Sequence, residues 1–344
     1  MVQFFRPQAD ESLSPQVESK SPMKAIEVRT TGGPEVLQLV DVPVPQPQSH
    51  EVLVKVARAG VNFIDVYQRE GRYKVALPFI LGQEGAGVVE GCGTGVETVK
   101  VGDRVAWTGI LGSYAQYAAI PAERLVPIPK GVTEQQAAAA MLQGMTAQYL
   151  IYDTYPLQKG QTALVHAAAG GVGLLLVQMA HNLGARVIGT VSTEEKAVLA
   201  RQAGADEVIL YSKQDFEVEV KRITNGKGLD VVYDGVGKDT FSKGLNLLRP
   251  RGMMVLFGGA SGAVPAFDPL VLTQKGSLFL TRPSLVNYIA NTEELRMRSK
   301  AVFEMIAAGR LNLRVGGTYK LSNVQQAHRD LQGRKTTGKL LLVP

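Results

Sequence analysis

The sequence contains very little cysteine and no long apolar run. Cys92 is the only cysteine among the 344 residues, which excludes an intramolecular disulfide and a zinc site built on several thiolates. A single cysteine suits a reducing compartment, and we expect the protein to be cytoplasmic. The apolar runs are too short to cross a bilayer, so we expect no membrane partner.

The sequence also lacks a block of like charges. The formal net charge is +6, from 37 Lys and Arg against 31 Asp and Glu, and the basic residues are spread along the chain. A nucleic-acid surface would require them to be concentrated on one face. We therefore do not expect nucleic acid to be the main partner, and a phosphate-bearing small molecule suits the modest excess better.

Residues 1–22 combine Ser, Pro and charges of both signs, and they lack the continuous apolar segment of a secretion signal. Their acidic residues, Asp10, Glu11 and Glu18, also argue against a transit peptide. We expect a mobile N-terminal tail before Met23.

The pattern of apolar residues changes near residue 143. Short apolar or alternating runs broken by Gly and Pro predict compact strands in residues 23–143. Residues 144–284 alternate strand and helix patterns at the spacing of a doubly wound parallel sheet. Residues 285–344 add one helix and return to short strands. We expect an α/β protein in which a nucleotide-binding domain, residues 144–284, is inserted into a mostly β domain formed by residues 23–143 and 285–344.

A glycine-rich turn provides the strongest functional signal. Residues 166–173, HAAAGGVG, follow the buried strand pattern TALVH and open the helix pattern GLLLVQMAHNLG. At such a helix N-terminus, unpaired N–H groups and the helix dipole face a pyrophosphate, and glycine lets the backbone approach it. The turn therefore predicts a dinucleotide site.

The end of the next strand indicates which dinucleotide binds. An NAD enzyme usually places an acid there to accept hydrogen bonds from the ribose 2′-OH, but this strand ends in Ser192. Ser192 can donate a hydrogen bond and Lys196 supplies a cation, which favours NADPH. Glu194 and Glu195 are contrary evidence, because a small error in register would bring one of them onto the ribose. We prefer to interpret them as favourable charges in the first turn of a helix.

Two further strands end in small residues at the edge where ligands bind in open α/β sheets. They are VVYDGVG, residues 231–237, and VLFGGA, residues 255–260. We expect these loops to line the ribose and nicotinamide, through Val236 and through Gly258, Gly259, Ala260 and Ser261.

Together these residues resemble the zinc-free quinone oxidoreductases of the medium-chain dehydrogenase/reductase superfamily, which include ζ-crystallin-like proteins. The resemblance runs from Met23 to Pro344. It implies a GroES-like, mostly β catalytic domain around a Rossmann domain, a substrate cleft between them, and a homodimer formed through the edges of the Rossmann sheets. Its motifs are AGVNFIDVYQREGRY, LGQEGAGVV, VGDRVAW, HAAAGGVG, VVYDGVG, LFGGASGAV, QKGSLFLTRPSL and GKLLL.

The resemblance also assigns the cofactor contacts residue by residue. The 2′-phosphate pocket falls on Ser192, Lys196, Tyr211 and Arg334. The main-chain pyrophosphate contacts fall on Ala169, Gly170, Gly171 and Val172, and Gly173 completes the cofactor-binding turn. The nicotinamide end falls on Asn62, Thr146, Val236, Gly258, Pro283, Ser284 and Leu285.

We expect no metal. Related zinc alcohol dehydrogenases hold their catalytic zinc with Cys and with the His of a Gly-His-Glu segment, which here is Gly82-Gln83-Glu84. The four histidines, His50, His166, His181 and His328, are spread over separate predicted elements and cannot complete a usual zinc site. Without a Lewis acid, the acceptor must already be electrophilic.

The polar residues of the resembled cleft segment are the candidates for catalysis: Asn62, Asp65, Tyr67, Tyr73 and Gln83. Asp65 is better explained as a brace for the NFID segment than as a catalytic group. Tyr67 or Tyr73 could give a proton to the product, but water could do so equally well, and either tyrosine could simply pack.

The favoured function is NADPH-dependent quinone reduction, by hydride or by single electrons. One alternative is an enone or 2-alkenal reductase, which differs mainly in its acceptor pocket. The other is a non-catalytic, crystallin-like protein that binds NADPH or RNA; the scattered charge and intact glycine loop argue against it.

Overall fold

The computed structural model describes residues 21–344, so nearly all of the expected N-terminal tail lies outside the described residues. Between residues 21 and 344 the strands form three sheets. None of the helices in this range is both long and apolar enough to cross a membrane.

The first part of the described chain is mostly β, because its short apolar runs are broken by Gly and Pro. Strand β1 pairs with β2 and β4 in a small antiparallel sheet, and the other strands belong to a larger sheet. Two helices, α1 and α2, accompany them. The elements are β1 (Met23–Val28), β2 (Leu37–Val42), β3 (Glu51–Val61), α1 (Phe63–Arg69), β4 (Phe79–Ile80), β5 (Glu84–Cys92), β6 (Arg104–Thr108), β7 (Tyr117–Pro121), β8 (Val126–Pro127) and α2 (Glu134–Tyr149).

The middle of the chain forms a six-stranded sheet in which every neighbouring pair is parallel. Its order is β11-β10-β9-β12-β13-β14, so the direction of winding reverses between β9 and β12. The elements are β9 (Thr162–Val165), α3 (Gly171–Asn182), β10 (Arg186–Val191), α4 (Glu194–Gln202), β11 (Glu207–Leu210), α5 (Phe216–Ile223), β12 (Leu229–Asp234), α6 (Phe241–Leu245), β13 (Leu248–Leu256), α7 (Leu270–Gln274), β14 (Phe279–Thr281) and α8 (Leu285–Tyr288).

The end of the chain returns to the larger β-sheet. Strand β16 pairs with β3 and β15, giving the order β15-β16-β3-β5-β6-β8, and β7 also pairs with β3. The elements are α9 (Thr292–Ala307), β15 (Val315–Lys320), α10 (Val324–Gln332) and β16 (Lys339–Val343). The predicted class, a mostly β domain with a doubly wound parallel sheet, is confirmed.

The parallel sheet is covered on both faces, which explains why its strands are continuously apolar. In β9, Val165 belongs to the core on one face and Leu164 to the core on the other. Val231 and Val232 divide in the same way in β12. A ligand must therefore bind at the carboxyl ends of the strands, near the reversal between β9 and β12, rather than on a face of the sheet.

Candidate functional site

The glycine-rich turn lies at the carboxyl end of β9, beside this reversal. Helix α3 begins at Gly171 with Gly170 as its N-cap, and no side chain caps it. The first-turn N–H groups of a helix have no partner within the helix itself. They and the positive end of the helix dipole are the groups that an anion binds at a helix start, which agrees with the predicted pyrophosphate position.

At two positions in this turn a side chain would collide with a neighbouring group. A Cβ on Gly173 would lie 2.2 Å from the carbonyl oxygen of Ala167 and 2.9 Å from Cα of Ala168. A Cβ on Gly171 would lie 1.9 Å from Oε1 of Gln143. Because the obstacle at Gly173 is backbone, only glycine lets α3 start this close to the end of β9. The turn therefore fits a pyrophosphate approached by main chain.

The expected 2′-phosphate residues meet at the end of β10. Nζ of Lys196 lies 3.3 Å from Oγ of Ser192 and donates to the carbonyl oxygen of Arg334 at 2.6 Å. Burial and then the charge of Arg334 lower the pKa of Lys196. The partners of this ammonium are a hydroxyl and a carbonyl, so its charge remains available to an anion. The side chain of Arg334 forms an ion pair with Asp239 at 3.6 Å.

Tyr211 lies at the same edge of the sheet. Its main-chain N–H donates to Val191 at the end of β10, at 3.1 Å, and its side chain is partly exposed. Ser212, which the sequence analysis did not select, donates its hydroxyl to the carbonyl oxygen of Ser192 at 2.7 Å.

Glu194 and Glu195 occupy the first turn of α4. Glu194 forms an ion pair with Arg201 at 2.8 Å. Hydrogen bonds from its own backbone N–H and from the hydroxyl of Thr193 lower the pKa of Glu195. These local contacts support the interpretation of both residues as helix-start charges.

The loops after β12 and β13 are joined to each other. Ser261 donates both its main-chain N–H and its hydroxyl to the carbonyl oxygen of Val236, each at 2.9 Å. The buried carboxylate of Asp234 accepts N–H groups from Val236 and Gly237 at 2.7 and 3.0 Å. A Cβ on Gly258 would lie 2.4 Å from the backbone of Gly235. Asp234 therefore shapes the loop, a role that the sequence analysis missed.

Asn62 is a structural hub rather than a free donor. Its Nδ2 donates to Oε2 of Glu84 at 2.8 Å and to the carbonyl oxygen of Gly60 at 3.4 Å. Its Oδ1 accepts from Nζ of Lys339 at 2.7 Å and from Nε2 of Gln143 at 3.2 Å. An amide has two donor hydrogens and two acceptor positions, and all four are used within the protein. This geometry argues against a direct catalytic role for Asn62.

Asp65 acts as a brace. Residues 63–69, for which the sequence analysis predicted no helix, form helix α1, and the carboxylate of Asp65 accepts the N–H of the N-cap residue Asn62 at 2.8 Å. The carboxylate is fully buried and accepts the hydroxyl of Tyr114 at 2.9 Å. Burial raises its pKa to about 7, against the lowering effect of the Asn62 N–H and the Tyr114 hydroxyl. A group enclosed in this way cannot contact the acceptor.

Tyr67 connects helix α1 to the loop after β13. Its hydroxyl, on α1, accepts the N–H of Gly259, in the loop after β13, at 3.1 Å. Burial raises the pKa of Tyr67, against the N–H of Gly259 and the charge of Arg282. Tyr73 packs edge-on against the Tyr67 ring, with centroids 5.5 Å apart, but 45% of its surface is exposed. Arg282 is a nearby cation that the sequence analysis did not select.

The remaining candidates lie around these loops. Gln83 is half-buried, and its carbonyl oxygen accepts the N–H of Gly109 at 2.8 Å. Thr146 is buried on α2. Pro283 is buried, whereas Ser284 is exposed and is the N-cap of α8.

Within residues 21–344, no three or more His, Cys, Asp and Glu side chains are grouped so that they could hold a metal ion. His166 lies in the core, where Nδ1 is 2.8 Å from the hydroxyl of Thr190 and burial lowers its pKa. His328 contacts Tyr114 and Arg69, and burial lowers its pKa to about 3.

A buried ion pair is the feature that the sequence analysis most clearly missed. Lys339, at the start of β16, pairs with Glu84, at the start of β5, and both side chains are almost completely buried. Glu84 also accepts the N–H of Leu142 at 2.6 Å. The one signal of this ion pair in the sequence is a charged residue at the end of each of two otherwise apolar strands.

Two family models match the chain. The alcohol dehydrogenase GroES-like domain matches residues 48–130, and the zinc-binding dehydrogenase model matches residues 171–307. Both descriptions agree with the two kinds of sheet found in the fold.

Named relatives cover almost the whole chain. A quinone oxidoreductase of Pseudomonas aeruginosa is 46% identical over 93% of this chain and 99% of its own length. A 2-haloacrylate reductase of Burkholderia is 43% identical over 92% of this chain and 98% of its own. The structure of Escherichia coli quinone oxidoreductase complexed with NADPH is 44% identical, with a TM-score of 0.91 over 93% of this chain and 100% of that chain.

Proposed function

Because the chain belongs to the zinc-free quinone oxidoreductases of the medium-chain dehydrogenase/reductase superfamily, we propose that it transfers hydride from NADPH to a quinone. The arrangement of Ser192, Lys196 and Arg334 beside the uncapped start of α3 carries this proposal. It offers the ammonium of Lys196 to a 2′-phosphate where an NAD enzyme would place an acid. The relative crystallised with NADPH supports the same cofactor.

The cofactor fits the residues that are present. Gly173 permits the close start of α3, the first turn of α3 supplies main-chain donors, and Lys196 supplies charge at the far end. When bound, NADPH supplies a hydride from its nicotinamide ring. The protein holds this ring against the acceptor and stabilises the oxygen that gains charge.

Tyr67 is the best candidate for the hydrogen-bond donor to that oxygen. The N–H of Gly259 binds its oxygen at 3.1 Å and leaves its own hydrogen unused in that bond. Because burial raises its pKa, the phenol stays protonated at neutral pH. Asp65 is enclosed and Asn62 has no unused donor, so neither can replace it.

A second candidate acceptor is an α,β-unsaturated carbonyl compound. The 2-haloacrylate reductase is 43% identical, close to the 46% of the Pseudomonas quinone oxidoreductase. Both acceptor classes take hydride at an electrophilic carbon and gain charge on an oxygen. The same donor serves either one, and the shape of the pocket must choose between them.

The first experiment is NADPH oxidation by the purified protein with a metal chelator present throughout. NADH is run in parallel, and the acceptors are 9,10-phenanthrenequinone, 1,4-benzoquinone and a small enone. We expect chelator-resistant turnover with NADPH preferred and a quinone reduced fastest. Binding of nucleotide without reduction of any acceptor would favour a non-catalytic binding protein, and a preference for NADH would contradict the cofactor assignment.

The variant Lys196→Ala tests the phosphate site directly. We expect its Kd for NADPH to rise about 10- to 100-fold, because one charge-assisted contact is lost. Its Kd for NADH should hardly change. Lys227→Ala removes an exposed lysine elsewhere and is the matched control, for which both constants should equal those of the wild type.

We propose that two copies form a homodimer through the β14 edge of the parallel sheet. β14 is the last strand in the sheet order, and an unpaired edge can pair with a second copy. Phe279 on β14 and Val286 just beyond it are 55% and 60% exposed. Light scattering should give about twice the chain mass of 37.0 kDa, and Phe279→Glu should give the monomer. A monomeric wild type would exclude this arrangement.

We also propose a cytoplasmic location, because the single, exposed Cys92 suits a reducing compartment. Cell fractionation with an antibody to the protein checks this assignment. Recovery with the membrane or extracellular fraction would contradict it.

A further inference from the structure

The buried ion pair of Lys339 and Glu84 belongs to a network that joins four parts of the chain. Lys339 is the first residue of β16 and Glu84 the first of β5. Asn62 precedes α1 and Gln143 lies on α2, and both contact the pair or each other. Asn62, Glu84 and Lys339 are buried and bonded to one another, so these three side chains act through what they hold in place.

The segment that ends at Lys339, residues 334–339, is named the C-terminal strap. At its start, the carbonyl oxygen of Arg334 accepts Nζ of Lys196 at 2.6 Å. Near its end, the N–H of Gly338 donates to the carbonyl oxygen of Ala169 at 3.0 Å, next to the start of α3. The strap therefore runs from the proposed 2′-phosphate site to the glycine-rich turn.

Lys339 anchors the end of this strap. Gly338 has a φ of +62°, and a Cβ there would lie 2.2 Å from the carbonyl oxygen of Arg314. The main-chain N–H of Lys339 donates to the same oxygen at 2.8 Å. The backbone is thus tightly confined at the point where the side chain of Lys339 enters the core and meets Glu84.

Gln143 extends the network to the pyrophosphate site. It donates to Oδ1 of Asn62, the atom that also accepts from Lys339. Its own oxygen is so close to Gly171 that a Cβ there would lie 1.9 Å from it. The network thus contacts the first residue of α3 directly, whereas the strap reaches the preceding turn.

We propose that Lys339, held by Glu84, is a positioning residue that fixes the C-terminal strap across the dinucleotide site and thereby sets the preference for the 2′-phosphate. Removing a charge pair from water is costly, and a well-packed apolar pair is often at least as stabilising. A role in placing Arg334 beside Lys196 gives this pair a function beyond stability. The inference rests on the proposed NADPH function and adds to it a determinant remote from the phosphate.

The test compares the nucleotide affinities of Lys339→Met and of the double variant Glu84→Gln/Lys339→Met. The double variant leaves no unpaired buried charge, so it can be measured even if Lys339→Met alone fails to fold. Kd values for NADPH and NADH are measured by fluorescence titration, and folding is checked by circular dichroism and Tm. Lys300→Met removes an exposed lysine on α9 and is the matched control.

We expect both variants to bind NADPH about tenfold more weakly and NADH less than about threefold more weakly, so that the preference falls. The control should keep the wild-type ratio. The inference is overturned if folded variants keep the wild-type ratio, if both nucleotides weaken equally, or if both variants fail to fold. A wild type that binds neither nucleotide refutes the proposed function itself, whereas an unchanged ratio in the variants refutes only the role of Lys339.

Discussion

Substitution of Tyr67 by Phe isolates the hydroxyl that connects α1 to the loop after β13. The ring remains to pack against Tyr73, and only the 3.1 Å contact with the N–H of Gly259 and the donor hydrogen are lost. A lost neutral hydrogen bond alone is worth about 1 kcal/mol, or about fivefold. A lost donor to an oxygen that gains charge in the transition state is worth about 100- to 1,000-fold in kcat.

We expect the larger effect, with the Kd for NADPH changed less than about fivefold. Stopped-flow single turnovers with 9,10-phenanthrenequinone measure the hydride step directly and separate it from product release. Tyr73→Phe is the matched control, because this neighbouring tyrosine is 45% exposed, and its rate should stay within about threefold of the wild type. If Tyr67→Phe slows the step by fivefold or less, the hydroxyl only joins α1 to the loop after β13, and the donor must be another group, of which Arg282 is the first to test.

Three further changes test other parts of the site. Gly173→Ala places a Cβ 2.2 Å from the carbonyl oxygen of Ala167, so α3 must move. We expect the affinity for NADPH, measured by titration, to fall at least about tenfold. An unchanged affinity would refute the argument that α3 must start this close to β9. Asp65 has a pKa of about 7 when folded and an ordinary value of 3.8. The folded chain therefore holds its proton more firmly, and stability should fall between about pH 4 and 7 and level off above. Urea unfolding should show this slope in the wild type and a smaller one in Asp65→Asn; equal slopes would contradict the assignment. Gly171→Ala should also weaken the binding of NADPH, but less than Gly173→Ala does. At Gly171 the flexible side chain of Gln143 must move, whereas at Gly173 the obstacle is backbone.

The fold was largely predictable because its apolar patterns are local. Strand β9 is apolar on both faces, and a short run of this kind bounded by turn signals indicates a buried parallel strand. Helix α1 was missed because seven residues give little periodicity. Its start does carry a signal, Asn62 followed three residues later by Asp65, which is a variant of the capping-box pattern.

In the candidate site, too, local patterns were predictable from the sequence and long-range contacts were not. Lys196 could be selected because it lies four residues from Ser192, within one turn of a predicted helix start. The contact of Lys339 with Asn62 joins residues 277 apart in the sequence, and no local pattern specifies such a pairing. The sequence also could not show that all four hydrogen-bonding positions of the Asn62 amide are occupied within the protein, because it shows which groups can donate but not which partners they meet.

The two ends of the proposed cleft differ in how strongly the protein specifies its ligand. At the proposed cofactor end, the ammonium of Lys196 donates to the strap carbonyl of Arg334, and α3 begins without a side-chain cap. At the acceptor end, Asn62 and Asp65 are used internally, and Tyr67 offers a single hydrogen. One donor recognises a carbonyl oxygen of almost any acceptor, so we expect electrostatics to select the dinucleotide and pocket shape to select the acceptor. Such a division agrees with the occurrence of a quinone oxidoreductase and a 2-haloacrylate reductase among relatives of nearly equal identity. Substitutions that change the acceptor should therefore alter the size of side chains around Tyr67 and leave the 2′-phosphate site unchanged.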